Sequence, residues 1–305
     1  MTGDSDRTPN PPEPTADRLN VIAAQIDVPR TPNSGARERH VEGVCTRVAA
    51  ALENHVGTDL VVLPELATID YSRETFAQLE QLAEPVEGPS FDRFSQLART
   101  HRTALSYGFA RRQGDGFTIA QAVIDASGAL LGCYDKMHLA QYGASMEKDY
   151  FRPGDAPLSV DIGGFSIGLT ICYDIRFPEL WRALTLEHEC TLIVHPSAFF
   201  QDESYATWEA FITTRALENQ VYVLSVNRAG ENWGGSMFCP PWVDEHHPLD
   251  RLGSAEQLTR FVVSREQLAA TRRNYSFLHD RKRTYDAGDS RRPLTAPPDA
   301  TESVR

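Results

Sequence analysis

FSIGLTICYDIRFPELWR, residues 165–182, joins an apolar run, a cysteine and the start of a helix in one stretch. The run IGLTI is apolar enough to form a buried strand, and it stops abruptly at Cys172. Pro178 suits the first turn of the helix that follows, because the N–H that proline lacks would have no partner there. The stretch therefore predicts a strand, a reactive side chain and a helix in succession.

Three other strand candidates end in the same way. The run VVLP is followed by Glu65, LLGCYD is followed by Lys136 and TLIV is followed by His195. Ligands bind at strand ends and the following loops in open α/β sheets, so four such ends suggest a site. Periodicity alone does not prove that these ends converge in space.

Short β-like runs alternate along the chain with segments of helical periodicity, which predicts a strand-rich layer covered by helices. Apolar residues at helical spacing predict helices over 37–54, 90–101, 178–188 and 205–220. The turn sequences ASG at 126–128 and GG at 163–164 predict two hairpins. Residues 1–18 and 287–305 are rich in polar residues and proline, and we expect them to be flexible tails.

The amino-acid composition limits the classes of molecule that the protein is expected to bind. The chain has 305 residues, 41% of them hydrophobic, and a formal net charge of -12 with scattered basic residues. A surface that follows nucleic-acid phosphates is therefore not expected. No apolar run approaches the roughly 20 residues that cross a bilayer, so we expect no membrane association and a cytoplasmic location.

The five cysteines include no CxxC pair, which argues against a disulfide framework and against a zinc finger. We expect reduced thiols. Most cysteines lie in apolar runs, where cysteine usually behaves as a small buried hydrophobic residue. Cys172 differs from these, because it stands where the apolar run IGLTI stops.

The segments FSIGLTICYDIRFPELWR, VVLPEL and YDKMHL resemble the nitrilase superfamily of carbon–nitrogen hydrolases, and the likeness runs over residues 19–286. The resemblance implies a single hydrolase domain there, with the α/β fold of a four-layer αββα sandwich. It also implies subunits paired across a two-fold axis, as a homodimer or a higher homo-oligomer. No metal or organic cofactor belongs to the implied chemistry.

The resemblance also implies the site residues. Carried over motif by motif, Cys172 is the nucleophile, Glu65 the general base and Lys136 the stabiliser of the oxyanion. Glu147, in MEKDYFRPG, is the second glutamate and pairs with Lys136. The backbone N–H of Tyr173 is expected to be a further oxyanion donor.

The chemistry explains why these residue types belong together. A thiol with an unperturbed pKa of about 8.5 is mostly protonated at neutral pH. A carboxylate in contact can take its proton, and an adjacent ammonium favours the thiolate. The sequence thus predicts an amidase that acts on a small carboxamide through a cysteinyl thioester and releases ammonia.

Several alternatives stay open. CYDIRFPEL resembles omega-amidases, whereas EKDYFRPG resembles carbamoylases; Ile175 stands where carbamoylases for amino acids place an arginine, and only Arg176 remains. A nitrilase, an N-carbamoyl hydrolase and an amidotransferase with a separate partner are alternatives. A non-catalytic binding protein that retains the fold is an alternative from another class.

Other residues near the motifs have structural interpretations. Asp174, Arg176 and Glu179 could form an ion-pair network that braces the turn after the cysteine. His138 and His195 are interpreted as structural histidines. The aromatic segment ENWGGSMFCPPWVDEHHP, residues 231–248, either shapes the substrate pocket or packs at a subunit interface.

Overall fold

The computed structural model describes residues 16–143, 145–282 and 284. The predicted tail at 1–18 lies outside the described residues except for its last three, and Arg18 already belongs to the first strand. The predicted tail at 287–305 lies entirely outside them.

The described residues form strands and helices in alternation. The strands are β1 Arg18–Gln25, β2 Leu60–Val62, β3 Ala104–Gln113, β4 Gly116–Ile124, β5 Leu130–Asp135, β6 Leu158–Ile162, β7 Phe165–Leu169, β8 Leu192–Pro196, β9 Tyr222–Val226, β10 Met237–Cys239, β11 Asp250–Arg251 and β12 Gln257–Ser264. The α-helices are α1 Ser34–Asn54, α2 Arg73–Phe76, α3 Leu79–Leu82, α4 Pro89–His101, α5 Pro178–Leu186, α6 Trp208–Asn219, α7 Arg265–Asn274 and α8 Phe277–Asp280. Short 3₁₀ helices lie at Glu147–Asp149, Cys172–Arg176 and Tyr205–Thr207.

The strands make two mixed six-stranded sheets. The first has the order β12-β1-β2-β3-β4-β5 and the second the order β11-β10-β9-β8-β7-β6. In the first sheet β1, β2 and β3 are parallel neighbours, and in the second β7, β8 and β9 are. The strands that precede Glu65 and Cys172 are therefore interior parallel strands, which need apolar residues on both faces.

The two faces of the first sheet contribute to different cores. Ile22 and Ala24 of β1 pack with α1 and α4, whereas Val21 and Ala23 pack with residues of the second sheet. This alternation is the period of two that side chains follow along a strand. Helices α5 and α6 cover the far side of the second sheet, so the layers run helix, sheet, sheet, helix. The predicted αββα sandwich is confirmed.

Most predicted elements are present at their predicted positions. Both hairpins form, and the predicted helix over 205–220 divides into a 3₁₀ turn and α6. Helix α7 was not predicted, because its apolar residues follow those of β12 without a break in the sequence. The helix begins after Ser264, whose side chain accepts a hydrogen bond from the backbone N–H of Gln267. None of the helices in the described part of the chain has the length and apolar character of a membrane span.

Candidate active site

Lys136 lies between two carboxylates in the interior of the protein. Its Nζ atom is 2.8 Å from Oε1 of Glu65 and 2.7 Å from Oε1 of Glu147. The side chains of all three residues are at most 1% exposed. Burial of a charge is unfavourable unless the charge is paired, so each member requires the others.

Glu65 is fixed through its side chain and by the close approach of a neighbouring strand. Its second oxygen, Oε2, accepts a hydrogen bond of 2.8 Å from the backbone N–H of Ala198, at the end of β8. Gly108 of β3 packs against the loop after β2, and a Cβ atom there would lie 2.5 Å from the backbone N of Leu66. Any larger residue at 108 would displace the loop that carries Glu65.

Arg228 holds the main chain of the same loop. The arginine is fully buried, and its guanidinium donates to the backbone carbonyl oxygens of Glu65, Leu66 and Ile69. Leu66 has a φ of +48°, a left-handed conformation that is unfavourable for leucine. Arg228 therefore stabilises a strained turn next to Glu65.

Glu147 is held by three donors. Oε1 accepts from Lys136 and, at 2.9 Å, from the hydroxyl of Tyr71, while Oε2 accepts from the backbone N–H of Ala140 at 2.9 Å. Burial raises the pKa of the Glu147 carboxyl, although Lys136 acts to lower it. Burial also acts to lower the pKa of the Lys136 ammonium, but Glu147 and Glu65 outweigh it and the net pKa lies well above the ordinary value. Lys136 is thus held in its charged form.

Cys172 follows β7 in a strained conformation, with a φ of +43°. Two contacts hold this turn. The backbone N–H of Ile171 donates to Oδ2 of Asp174 at 2.9 Å, and Nε2 of His195 lies 2.8 Å from the carbonyl oxygen of Cys172. Since a carbonyl only accepts, Nε2 carries the proton, and Nδ1 accepts from the Ser225 hydroxyl at 2.8 Å.

Asp174 braces the turn differently from the predicted ion-pair network. Its carboxylate accepts from the hydroxyl of Tyr134 at 2.7 Å and contacts Nδ1 of His138 at 2.7 Å. Arg176 instead places its guanidinium over the rings of Tyr142, Tyr173 and Phe211. The bracing role of Asp174 is confirmed, but among the described residues no ion pair joins it to Arg176 or Glu179.

The thiol of Cys172 lies within range of the buried charges. Burial raises its pKa well above the ordinary value, Glu65 raises it further and Lys136 opposes the rise. The free thiol is therefore protonated at neutral pH. Lys136 alone does not produce a thiolate here.

A cavity of about 250 Å³ opens above Cys172. Tyr71, Tyr173, Phe199 and Trp233 contribute to its walls, and Cys172 itself is 8% exposed. The backbone N–H of Tyr173 belongs to the first turn of a 3₁₀ helix, where N–H groups lack partners within the helix. A small organic substrate thus has access to the thiol.

The aromatic segment at 231–248 divides between two environments. Trp233 lines the cavity, as one of the two interpretations requires. Phe238 packs between the rings of Tyr222 and Phe261, and Trp242 stacks on Tyr275 at 3.7 Å between ring centres. Only Trp233 of these aromatic residues therefore contributes to the pocket.

Across the described residues, no group of three or more His, Cys, Asp and Glu side chains is placed to hold a metal ion.

A family model described as carbon–nitrogen hydrolase matches residues 20–246. The chain belongs to the carbon–nitrogen hydrolase family. Omega-amidase NIT2 from Homo sapiens is 28% identical to this hydrolase over 291 residues, which cover 92% of this chain and 100% of that protein. Deaminated glutathione amidase from Rattus norvegicus is 30% identical over 241 residues, which cover 72% of this chain and 71% of that protein.

The fold of the hydrolase is that of solved nitrilase-superfamily structures. The crystal structure of Nit3 from Saccharomyces cerevisiae, a member of branch 10 of that superfamily, matches with a TM-score of 0.75 and 23% sequence identity. The match covers 85% of this chain and 95% of that chain. The predicted family and the prediction that the protein is an enzyme are both confirmed.

The structure brings the predicted site residues of the hydrolase together. Glu65, Lys136 and Glu147 are in contact, and Cys172 and Tyr173 line the cavity beside them. Their individual roles stay predictions. Sequence reasoning missed Arg228, which lies two residues after β9. The signal that could have indicated it is an arginine close to the end of an apolar strand candidate, in VYVLSVNR.

Proposed function

We propose that this hydrolase cleaves the C–N bond of a small carboxamide through a cysteinyl thioester and releases ammonia. One observation carries the proposal: a buried lysine contacts two carboxylates beside a cysteine that lines a cavity. Two relatives are amidases by name, which supports an amide as the substrate. A non-catalytic protein would have no need to retain all four side chains.

In the first step, Glu65 takes the proton of the Cys172 thiol as Sγ attacks the amide carbonyl carbon. The carbonyl oxygen becomes an oxyanion, which the Lys136 ammonium and the Tyr173 N–H stabilise. Such donors act strongly in a site that excludes water, and removal of one typically slows a reaction by about 100- to 1,000-fold. Glu147 keeps Lys136 charged and in place.

In the second step, the tetrahedral intermediate collapses and the C–N bond breaks. Glu65 returns its proton to the departing nitrogen, so that ammonia leaves and an acyl thioester remains on Cys172. Glu65 then takes a proton from a water molecule, whose oxygen attacks the thioester. The carboxylic acid leaves and the thiol recovers its proton, so one carboxyl group serves both half-reactions.

The test is an assay of ammonia and carbon dioxide release from matched amide, nitrile and ureido compounds. We expect ammonia from the amides, and a loss of about 1,000-fold or more in Cys172→Ala. Cys45→Ala is the matched control, because Cys45 lies on α1 and the change should leave activity unchanged. Turnover confined to nitriles or to ureido compounds, or full activity in Cys172→Ala, would contradict the proposal.

The same proposal includes subunits paired across a two-fold axis, as the family resemblance implies. The molar mass in solution, measured by light scattering, tests this directly. A mass equal to one chain of 34.0 kDa at all concentrations would contradict it.

A further inference from the structure

The cavity above Cys172 has a strongly aromatic wall. Six of the thirteen described residues that line it are aromatic, namely Tyr71, Tyr142, Tyr173, Phe199, Phe200 and Trp233. Burial of a charged group against such a wall costs hydration energy that the wall does not return, whereas burial of an apolar group is favourable. The lining therefore favours an uncharged apolar acyl group.

Trp233 is held in place by its main chain. The side-chain Nε2 of Gln201 donates to the carbonyl oxygen of Trp233 at 2.6 Å, and the Gln201 backbone N–H donates to that of Asn232 at 2.8 Å. Gly234 has a φ of +88°, and an added Cβ there would lie 2.4 Å from Cα of Ser254. The chain on both sides of Trp233 is thus fixed, so the indole is a preorganised part of the wall.

Phe200 meets Trp233 edge to face, with ring centres 5.2 Å apart and an angle of 80° between the ring planes. Phe200 is also 38% exposed, so the described chain leaves part of this pair uncovered. Aromatic rings prefer edge-to-face and offset arrangements with one another. A ring on the substrate can therefore join the pair in a geometry that both rings favour.

Charged groups of both signs surround the cavity. Asp202 lines it. The guanidinium of Arg176 lies 5.4 Å from the ring centre of Tyr142, and that of Arg228 lies 5.8 Å from the ring centre of Trp233. The two rings are among the described lining residues and the two arginines are not. A charged end group of either sign would lose water and meet a like charge nearby, which an uncharged group avoids.

The size of the cavity agrees with one ring. Its volume is about 250 Å³. An apolar cavity of about 150 Å³ holds a benzene molecule, so the remaining space suits a short chain that carries a carboxamide to Cys172. A planar ring also loses less conformational freedom on binding than a flexible alkyl chain does.

We propose that the preferred substrate is the carboxamide of a short acid that ends in an uncharged aromatic ring, which packs against Phe200 and Trp233. The inference rests on the proposed amidase function and adds the substrate class. Trp233 is then a residue that determines specificity for the acyl group.

Binding is measured by calorimetry in Cys172→Ala, so that turnover is not required. The probes are 3-phenylpropanamide, hexanamide and adipic acid monoamide, which carry an aromatic, an aliphatic and an anionic acyl group. We expect 3-phenylpropanamide to bind at least about fivefold more tightly than hexanamide, because of the contacts between rings. Adipic acid monoamide should bind most weakly. Equal or tighter binding of either other probe would overturn the proposal.

Variants of the wall assign the preference to Trp233. Trp233→Ala should lower the affinity for 3-phenylpropanamide by at least about fivefold and leave that for adipic acid monoamide unchanged. Trp242→Ala is the matched control, because Trp242 belongs to the same aromatic segment but stacks on Tyr275 and does not line the cavity. An unchanged affinity in Trp233→Ala would overturn the role of this residue.

A second variant guards against a folding defect. Phe200→Ala changes a partly exposed side chain, so the variant should fold, and it should weaken binding of 3-phenylpropanamide in the same direction. The molar mass of Trp233→Ala is measured alongside. A changed mass with unchanged affinity would assign Trp233 to a subunit interface and overturn the proposal.

Turnover in the wild-type chain separates this inference from the proposed function. Ammonia release from all three probes with equal kcat/KM, together with equal binding, refutes the substrate class and leaves the amidase function intact. Absence of ammonia release from every probe, with the binding order as expected, refutes the amidase function and retains the preference for an aromatic ring.

Discussion

Nε2 of His195 lies 2.8 Å from the carbonyl oxygen of Cys172, the residue that adopts a φ of +43°. The histidine on β8 therefore holds the main chain of the candidate nucleophile, which begins the 3₁₀ helix after β7. Burial lowers the pKa of His195 to about 4, so the ring is neutral at physiological pH. A neutral ring with Ser225 on its other nitrogen fixes the tautomer that this contact requires.

The burial of His195 makes stability depend on pH. The folded-state pKa of His195 lies below the ordinary histidine value of 6.5, so the stabilisation is complete above pH 6.5 and is lost as pH falls towards about 4. The loss for this group amounts to about 3 kcal/mol, from 1.36 kcal/mol for each pKa unit. Urea denaturation at a series of pH values should show a smaller loss in His195→Gln than in the wild type. Equal pH dependence in both would contradict the assignment.

Removal of the lysine should leave two buried carboxyl groups without a cation. We expect Lys136→Met to lose about 3–5 kcal/mol of unfolding free energy at neutral pH. Burial raises the carboxyl pKa of Glu147 even with Lys136 present, so in the variant this group should take up a proton and recover stability as pH falls. Denaturation at neutral and at mildly acidic pH measures both effects. If the unfolding free energy of the variant decreases with falling pH as much as that of the wild type, this electrostatic account is contradicted.

The raised pKa of Cys172 predicts how the free thiol reacts. Because burial and Glu65 both disfavour the thiolate, alkylation of Cys172 by iodoacetamide should accelerate continuously up to about pH 9. Peptide mapping after timed alkylation follows this residue separately from the other cysteines. A rate that reaches a plateau below neutral pH would instead indicate a stable thiolate–cation pair.

Arg228 should act on catalysis through the main chain of Glu65. Lysine keeps the positive charge but cannot form the forked contacts of a guanidinium, so Arg228→Lys should lower kcat by about tenfold or more, with little change in KM. Conservation of kcat alongside a loss of thermal stability would show that Arg228 serves folding alone. Arg18→Lys, at the exposed start of β1, is a suitable control.

The local pattern predicted a strand-rich layer covered by helices, whereas the four-layer sandwich was predicted from the family resemblance. Buried parallel strands are continuous apolar runs, so the abrupt ends of β2 before Glu65 and of β7 before Cys172 are visible in the sequence. Lys136 follows β5, an antiparallel edge strand, and its run LLGCYD is less uniformly apolar. The predicted helices agree with the structure to within a few residues because their apolar residues recur with helical spacing. The assignment of the site itself depended on the family resemblance.

The remaining features depend on contacts between distant parts of the chain. The contact of Arg228 with the carbonyl oxygen of Glu65 spans 163 residues, and that of His195 with Cys172 spans 23. Such pairs leave no local periodicity.

Intact-mass spectrometry of the enzyme, quenched in acid during turnover of a primary carboxamide, tests the central claim most directly. The account predicts a species heavier than the free chain by the mass of the acyl group, located on Cys172 by peptide mapping and absent in Cys172→Ala. Ammonia release without any acyl adduct, or an adduct on another residue, would contradict it.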